Sequence, residues 1–188
     1  LDHPKLEQAD LSSLEMLIYG ASPMSPTRLM EGLERIGPKF CQLYGQSECY
    51  PISVLRKEDH DTARPDLFAS CGHPCNSVEV ALLDEDNQPV EPGGIGEICA
   101  RGPQAMNEYW QRPEQNAETT AAGWLHTGDM AQADERGYLY IVDRKKDMII
   151  SGGFNIFPRE VEDVLTADPA VAMAAVIGVP DEKWGEAV

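Results

Sequence analysis

Tyr140-Ile-Val-Asp-Arg-Lys-Lys-Asp-Met-Ile-Ile-Ser-Gly-Gly-Phe-Asn155 is the stretch on which the reading of this chain turns. An apolar strand, Tyr138 to Val142, runs into the charged cluster Asp143 to Asp147. A second strand-forming run, Met148 to Ile150, follows, and then the pair Gly152-Gly153. Two strands with a charged joint between them mark a boundary between two bodies. The residues before it close one domain, and those after it open another.

Upstream, Leu14 to Tyr19 reads as a buried strand and Lys39 to Tyr44 as a second. Between them Ser25 is a good N-cap and Pro26 a good first helical residue. Leu29, Met30, Leu33 and Ile36 then recur at helical spacing until Gly37-Pro38 stops them. Strand, helix and strand in so short a span form a βαβ unit and imply a parallel sheet. Ligands of such sheets bind beyond the carboxyl ends of the strands. The two strand ends carry Tyr19-Gly-Ala-Ser-Pro23 and Tyr44-Gly-Gln-Ser-Glu48.

After Glu58 the pattern changes to short alternating runs (Val78 to Leu83, Ile95 to Arg101, Trp124 to Met130, Tyr138 to Val142) separated by turns at Asp84-Asn87, Pro92-Gly94 and Asp134-Gly137. This reads as antiparallel β structure, a small barrel or a curved sheet. Beyond the joint, Pro158 opens a helix with acids in its first turn, and Ala170 to Val179 reads as a strand. The expected divisions are 1–60 (parallel α/β), 61–143 (barrel-like) and 144–188 (start of a second domain). Because the chain begins at Leu1 and ends at Val188 inside an apolar unit, it reads as a piece of a longer protein.

With 188 residues and a net charge of −17, the chain argues against nucleic acid and anionic membranes as partners, because both need a basic footprint. Ala170 to Val179, the longest apolar run, is far short of the roughly 18 residues that cross a bilayer, so no transmembrane segment is expected. The opening residues carry no basic, hydrophobic leader, which points to the cytoplasm. The five cysteines make no even framework and read as reduced thiols. Cys71-Gly-His-Pro-Cys75 lacks the second ligand pair that four-coordinate zinc wants.

Three groups could carry chemistry. Tyr44 offers a flat face to a base, Gly45 allows a close approach to the backbone, Ser47 can bond a phosphate oxygen, and Glu48 is a hard oxygen ligand suited to Mg²⁺. Read alone, the same five residues are also a turn with an exposed acid. Asp129, at the end of Gly123-Trp-Leu-His-Thr-Gly-Asp, can accept both hydroxyls of a ribose, or simply cap a turn. His126 would serve as a base, although a single histidine in a strand is more often packed or solvated.

Taken in order, Tyr19-Gly-Ala-Ser-Pro23, Tyr44-Gly-Gln-Ser-Glu48, Gly123-Trp-Leu-His-Thr-Gly-Asp129 and Asp143-Arg-Lys-Lys-Asp147 with Ser151-Gly-Gly153 resemble motifs of the adenylate-forming (AMP-binding) superfamily. Its members include acyl-CoA synthetases, peptide-synthetase adenylation domains and firefly luciferase. The resemblance covers essentially the whole chain, and four motifs in order are far more specific than any one.

It implies an α/β fold: the C-terminal part of a large adenylation domain (1–143) and the start of a small α+β domain (144–188). It further implies that Tyr44 stacks on adenine opposite the backbone of Gly20 and Ala21. Ser47 would touch the α-phosphate, Glu48 hold Mg²⁺, Asp129 grip the ribose, and Arg144 support it from the joint. Lys146 matches the hinge about which the small domain rotates, and Ser151, Gly152 and Gly153 would approach the coenzyme A arm. The implied reaction is ATP-dependent activation of a carboxylic acid to acyl-AMP and its transfer to coenzyme A. Net charge does not oppose this, because Mg²⁺ and local cations neutralise the phosphates.

The run Met148 to Glu162 is similar to that of ligases for fatty or aryl acids rather than to peptide-synthetase domains. The family's Gly/Ser/Thr-rich phosphate loop has no counterpart in residues 1–18, and its adenylation-step lysine lies beyond Val188. The chain alone is therefore expected not to adenylate. An exposed sheet edge, and with it a homodimer or strand swapping, is also expected. A non-catalytic nucleotide-binding or assembly module is the competing reading.

Overall fold

A computed structural model describes residues 1–22, 24–168 and 170–188. Pro23, the last residue of the first motif, lies outside them, as does Pro169.

The βαβ unit forms because each of its signals is met locally. Strand β1 (Leu17–Gly20) leads through a short turn to helix α1 (Pro26–Ile36). Ser25 Oγ accepts the Arg28 N–H at 3.3 Å, closing the first turn as an N-cap should. Leu29 and Leu33 lie on one face of α1 and pack with Phe40 and Phe68. Fully burying such a side chain is worth about 1.5–3 kcal/mol, which holds the helix on the sheet. Strand β2 (Phe40–Gln46) then pairs with β1 in parallel, Leu17 against Phe40 through Gly20 against Leu43.

The first sheet is not wholly parallel. A tight turn at Ser47-Glu48 sends β3 (Cys49–Leu55) back antiparallel on β2, and the short β4 (His73–Pro74) pairs antiparallel with β3. The expected strand from Leu14 also begins later, at Leu17, and is not buried on both faces: Met16 and Ile18 are exposed. The cause is topological, since β1 is the edge of the order β1-β2-β3-β4.

The alternating runs make the second sheet, in sequential antiparallel order: β5 (Glu79–Leu83), β6 (Ile95–Arg101), β7 (Leu125–Ala133) and β8 (Leu139–Arg144), with α2 (Pro113–Thr119) between β6 and β7. Its inward residues Ile98, Ala100, Leu125 and Ala131, with Val78 just before β5, join Cys49 and Ile52 of the first sheet in one core cluster. A bridge between Gly72 and Leu139 stitches the two sheets together. That packing brings the end of β2 against β7 and β8.

After the joint, β9 (Ile149–Ser151) and β10 (Phe154–Ile156) form a hairpin, followed by α3 (Pro158–Thr166), β11 (Val179–Asp181) and β12 (Gly185–Ala187). The third sheet has the order β10-β9-β12-β11. The expected strand Ala170 to Val179 is corrected here: pairing starts only at Val179, where β12 supplies a partner. Among the described residues no helix is long and apolar enough to cross a membrane. All five cysteines are free thiols.

Candidate functional site

A cleft of about 180 Å³ opens where the carboxyl ends of β1 and β2 meet β7, β8 and α3. Its walls include Ala21 and Ser22 after β1, Tyr44 and Gly45 on β2, Asp129 on β7, and Asp143 and Arg144 at the end of β8. Residues separated by more than a hundred positions thus share one cavity at the strand ends, where parallel units place ligands.

Asp129 is its electrostatic centre. Tyr44 donates its hydroxyl proton to Asp129 Oδ2 at 2.8 Å, and Arg144 Nε lies 3.3 Å from Oδ1. Asp129 is only 8% exposed. Burial raises its pKa above the ordinary aspartate value, and the Tyr44 bond and the Arg144 charge offset only part of that. Tyr44 is pushed up as well, by burial first and then by the Asp129 charge, so it remains a neutral donor. Register sets the pair up: Asp129 sits opposite Arg144 across β7 and β8. Ala21, which turns the first motif into the cleft, has a left-handed φ of 63°, uncommon for a residue with a side chain and costly.

The structure brings Ala21, Tyr44, Gly45, Asp129 and Arg144 together. Gly20 and Ser47 line the adjoining depression with Tyr50. Glu48 does not line the cleft. It sits on the β2–β3 turn, where Tyr109 donates its hydroxyl to Oε1 at 2.5 Å. A carboxylate oriented in this way offers the kind of hard oxygen that Mg²⁺ takes, one or two per ion. Lys146 is exposed on the turn Lys145–Asp147 and faces a separate depression against α3.

Two glycine positions also have local reasons. Above Gly45 a side chain would meet the Cys49 carbonyl at 2.8 Å and the Tyr50 ring at 2.9 Å. Its smallness therefore serves the returning hairpin at a bulge in β2, as well as any ligand. Ser151, Gly152 and Gly153 form the β9–β10 turn, away from the cleft. Both glycines have positive φ, 59° and 84°, as a two-residue hairpin turn of this hand requires. A side chain on Gly152 would also strike the Trp184 ring at 2.6 Å. The structure thus supplies a local reason for this pair.

Sequence reasoning missed Gln42, Asp143 and Arg159 in the cleft wall. Gln42 shares a strand face with Tyr44 by simple alternation, so the signal was present. Arg159 had none: it arrives because Asp143 Oδ2 accepts its backbone N–H at 3.0 Å, docking the start of α3 on the end of β8. His126, considered as a base, is packed rather than poised, with Nδ1 3.1 Å from Glu97 Oε2.

Comparison with known proteins places the chain in a family. The AMP-binding enzyme family model matches residues 1–110, and the model of the AMP-binding enzyme C-terminal domain matches residues 160–188. The chain belongs to the AMP-binding enzyme family. It is 55% identical over 189 residues to the medium/long-chain-fatty-acid–CoA ligase FadD8 of Mycobacterium tuberculosis, covering 100% of this chain and 33% of that protein. The amide bond synthetase McbA of Marinactinospora thermotolerans superposes with a TM-score of 0.89 at 42% identity, over 99% of this chain and 38% of that one. The o-succinylbenzoate coenzyme A synthetase of Bacillus subtilis, in complex with ATP and magnesium ion, does so at 0.75 and 36% identity, over 93% and 37%. The chain therefore spans about a third of the length of the curated relatives it matches.

Proposed function

We propose that this chain supplies the nucleotide wall and the interdomain joint of an AMP-forming acid–thiol ligase acting on a fatty or aryl acid. The observation that carries the reading is the convergence of Tyr44 and Arg144 on the buried Asp129 at the carboxyl ends of β1 and β2. A fixed carboxylate with two oxygens suits a cis-diol, and an aromatic residue beside it suits a base. The cofactors are ATP and Mg²⁺, with Glu48 the metal ligand, Ser47 the contact to the α-phosphate, and Gly20 and Ala21 the wall facing Tyr44. Coenzyme A is the thiol, approached by Ser151, Gly152 and Gly153.

In the first half-reaction the substrate carboxylate oxygen attacks the α-phosphorus of ATP and pyrophosphate leaves. In the second, the thiol sulfur attacks the acyl carbon and AMP leaves. Asp129 and Tyr44 hold the nucleoside in place through both. The large domain ends at Asp143, and Lys146 is the pivot of residues 144–188. Free thiols and reduced chemistry support the cytoplasm as the compartment. A homodimer would pair through the open edge of β1, where Met16 and Ile18 are exposed.

The test is acid-dependent AMP release by the full-length enzyme, offered a panel of fatty and aryl carboxylates with coenzyme A. AMP and acyl-thioester in equal amounts are expected. No acid-dependent AMP release would leave only a nucleotide-binding or assembly module. AMP release without thioester would move the reading to another acceptor, as in a peptide-synthetase domain. In the same protein Lys146→Pro is expected to spare acyl-AMP formation and abolish thioester formation. Equal loss of both steps would remove Lys146 from the pivot role.

A further inference from the structure

Behind the cleft lies a second buried carboxylate that the nucleotide reading does not use. Glu97 stands in the middle of β6 among Ile95, Ile98 and Cys99, and is 4% exposed. An unpaired charge at such a site would cost several kcal/mol. Three donors prevent that. The Gly128 N–H donates to Oε1 at 2.9 Å, while His126 Nδ1 and Lys145 Nζ reach Oε2 at 3.1 and 2.9 Å. Burial alone would raise the Glu97 pKa, but these donors outweigh it and the carboxyl stays below the ordinary glutamate range.

Glu97, Cys99 and His126 bring potential metal-ligating atoms within 4.8 Å of one another. The cluster is nevertheless built for hydrogen bonding. An ammonium already shares the oxygen that faces His126, and burial pushes the Cys99 thiol up to about 12, away from the thiolate a metal requires.

The positions of the donors are informative. Gly128 immediately precedes Asp129, and Lys145 stands between Arg144 and Lys146. The bulge in β7 that aims Asp129 is fixed from β6 by two bonds, Gly128 N–H to Glu97 and Thr127 Oγ1 to the Ile98 carbonyl at 2.7 Å. The joint is likewise fixed twice, Arg144 to Asp129 on the cleft side and Lys145 to Glu97 behind it. We propose that Glu97 is a positioning residue that clasps the β7 bulge before Asp129 and the joint to the same strand, so that nucleotide bound at Asp129 and the orientation of the joint are coupled. The clasp itself is independent of ligand, whereas its coupling to a nucleotide rests on the function proposed above.

The test is amide hydrogen exchange on the full-length enzyme with and without AMP, beside calorimetric titration of AMP. Without nucleotide, Glu97→Gln is expected to speed exchange about tenfold or more both at Gly128 and across 145–147, the size of one lost charge-assisted bond. Lys145→Gln is expected to speed only 145–147. In the wild type, AMP should slow exchange at 145–147, and this protection should vanish in Lys145→Gln. Glu97→Gln should weaken AMP about tenfold, and Lys145→Gln less than about threefold.

Uniformly faster exchange along β6 and β7 in Glu97→Gln would make the residue a mere stability element and overturn the proposal. Persistence of AMP-dependent protection at 145–147 in Lys145→Gln would overturn it too, and that measurement stands even where Glu97→Gln fails to fold. Failure of the wild-type enzyme to bind AMP would count against the nucleotide reading, while the exchange pattern without nucleotide would still decide the clasp.

Discussion

The second and third sheets are each four-stranded, yet they are held together differently. The second, with Val78 just before β5, buries Ile98, Ala100, Leu125 and Ala131 in a core shared with the first sheet. In the third sheet and the segments around it, Ile149 and Phe157 are buried, but Ile150, Phe154, Leu165 and Trp184 are exposed. The Asp129–Arg144 pair straddles the divide: the aspartate side chain is 11% exposed and the arginine 64%. One side of the cleft is therefore fixed by packing, and the other is tied on by charge. Packing resists displacement, because close-packed cores have few alternative arrangements. Ion pairs on an exposed joint are individually weak and can be exchanged. That division suits the proposed function, in which the wall around Asp129 stays in place while residues 144–188 turn.

The largest expected effect breaks the pair itself. Asp129→Ala in the full-length enzyme removes the partner of both Tyr44 and Arg144 and should lower kcat/KM for ATP about a hundredfold, since charge-assisted bonds to a buried carboxylate are worth about 1.5–3 kcal/mol each. Steady-state kinetics checks this, and unchanged ATP dependence would refute the ribose role. The contrast in packing comes next. Ile98→Ala, at a site 0% exposed, should cost about 2–5 kcal/mol in denaturant unfolding. Leu165→Ala, at 45% exposure on α3, should stay within about 0.5 kcal/mol. Equal costs would dissolve the distinction between the two regions.

The smallest effect sharpens it through pH. Glu97 has a folded pKa below the ordinary 4.5, so its contribution to stability is fully present above that value and lost as pH falls through the folded one. Asp129 has a folded pKa above the ordinary 3.8, so it costs stability as pH rises through the window above that value. The two carboxylates oppose each other on the acid limb. Thermal melts between about pH 5 and about pH 3 should show Glu97→Gln flattening the acid loss and Asp129→Asn steepening it. Parallel curves for the two variants would mean that their environments do not differ in this way.

Much of this was legible in the sequence because its causes are local. Ser25-Pro26 starts a helix wherever a helical apolar face follows, and the alternating runs after Glu58 pair into a meander because short turns join them. Gly152-Gly153 reads correctly as special, although the demand comes from the hairpin turn and the Trp184 ring. Ala170 to Val179 misled because strand propensity requires a pairing neighbour, which only its last residue finds. Glu97 passed unnoticed although a lone acid inside Ile95-Gly-Glu-Ile-Cys-Ala100 is the kind of local conflict that marks a bonded charge.

The sequence by itself determined the types of most elements, their order, and the four motifs that carry the family likeness. Tertiary structure alone decided which side chains those motifs hand to one another. Tyr44 and Asp129 are 85 positions apart and Glu97 and Lys145 48, and neither contact leaves a periodicity along the chain. The physical reason is that helices, turns and caps are set by neighbours in sequence. A buried carboxylate's donors are set instead by strand register and sheet packing, which exist only once the chain has folded.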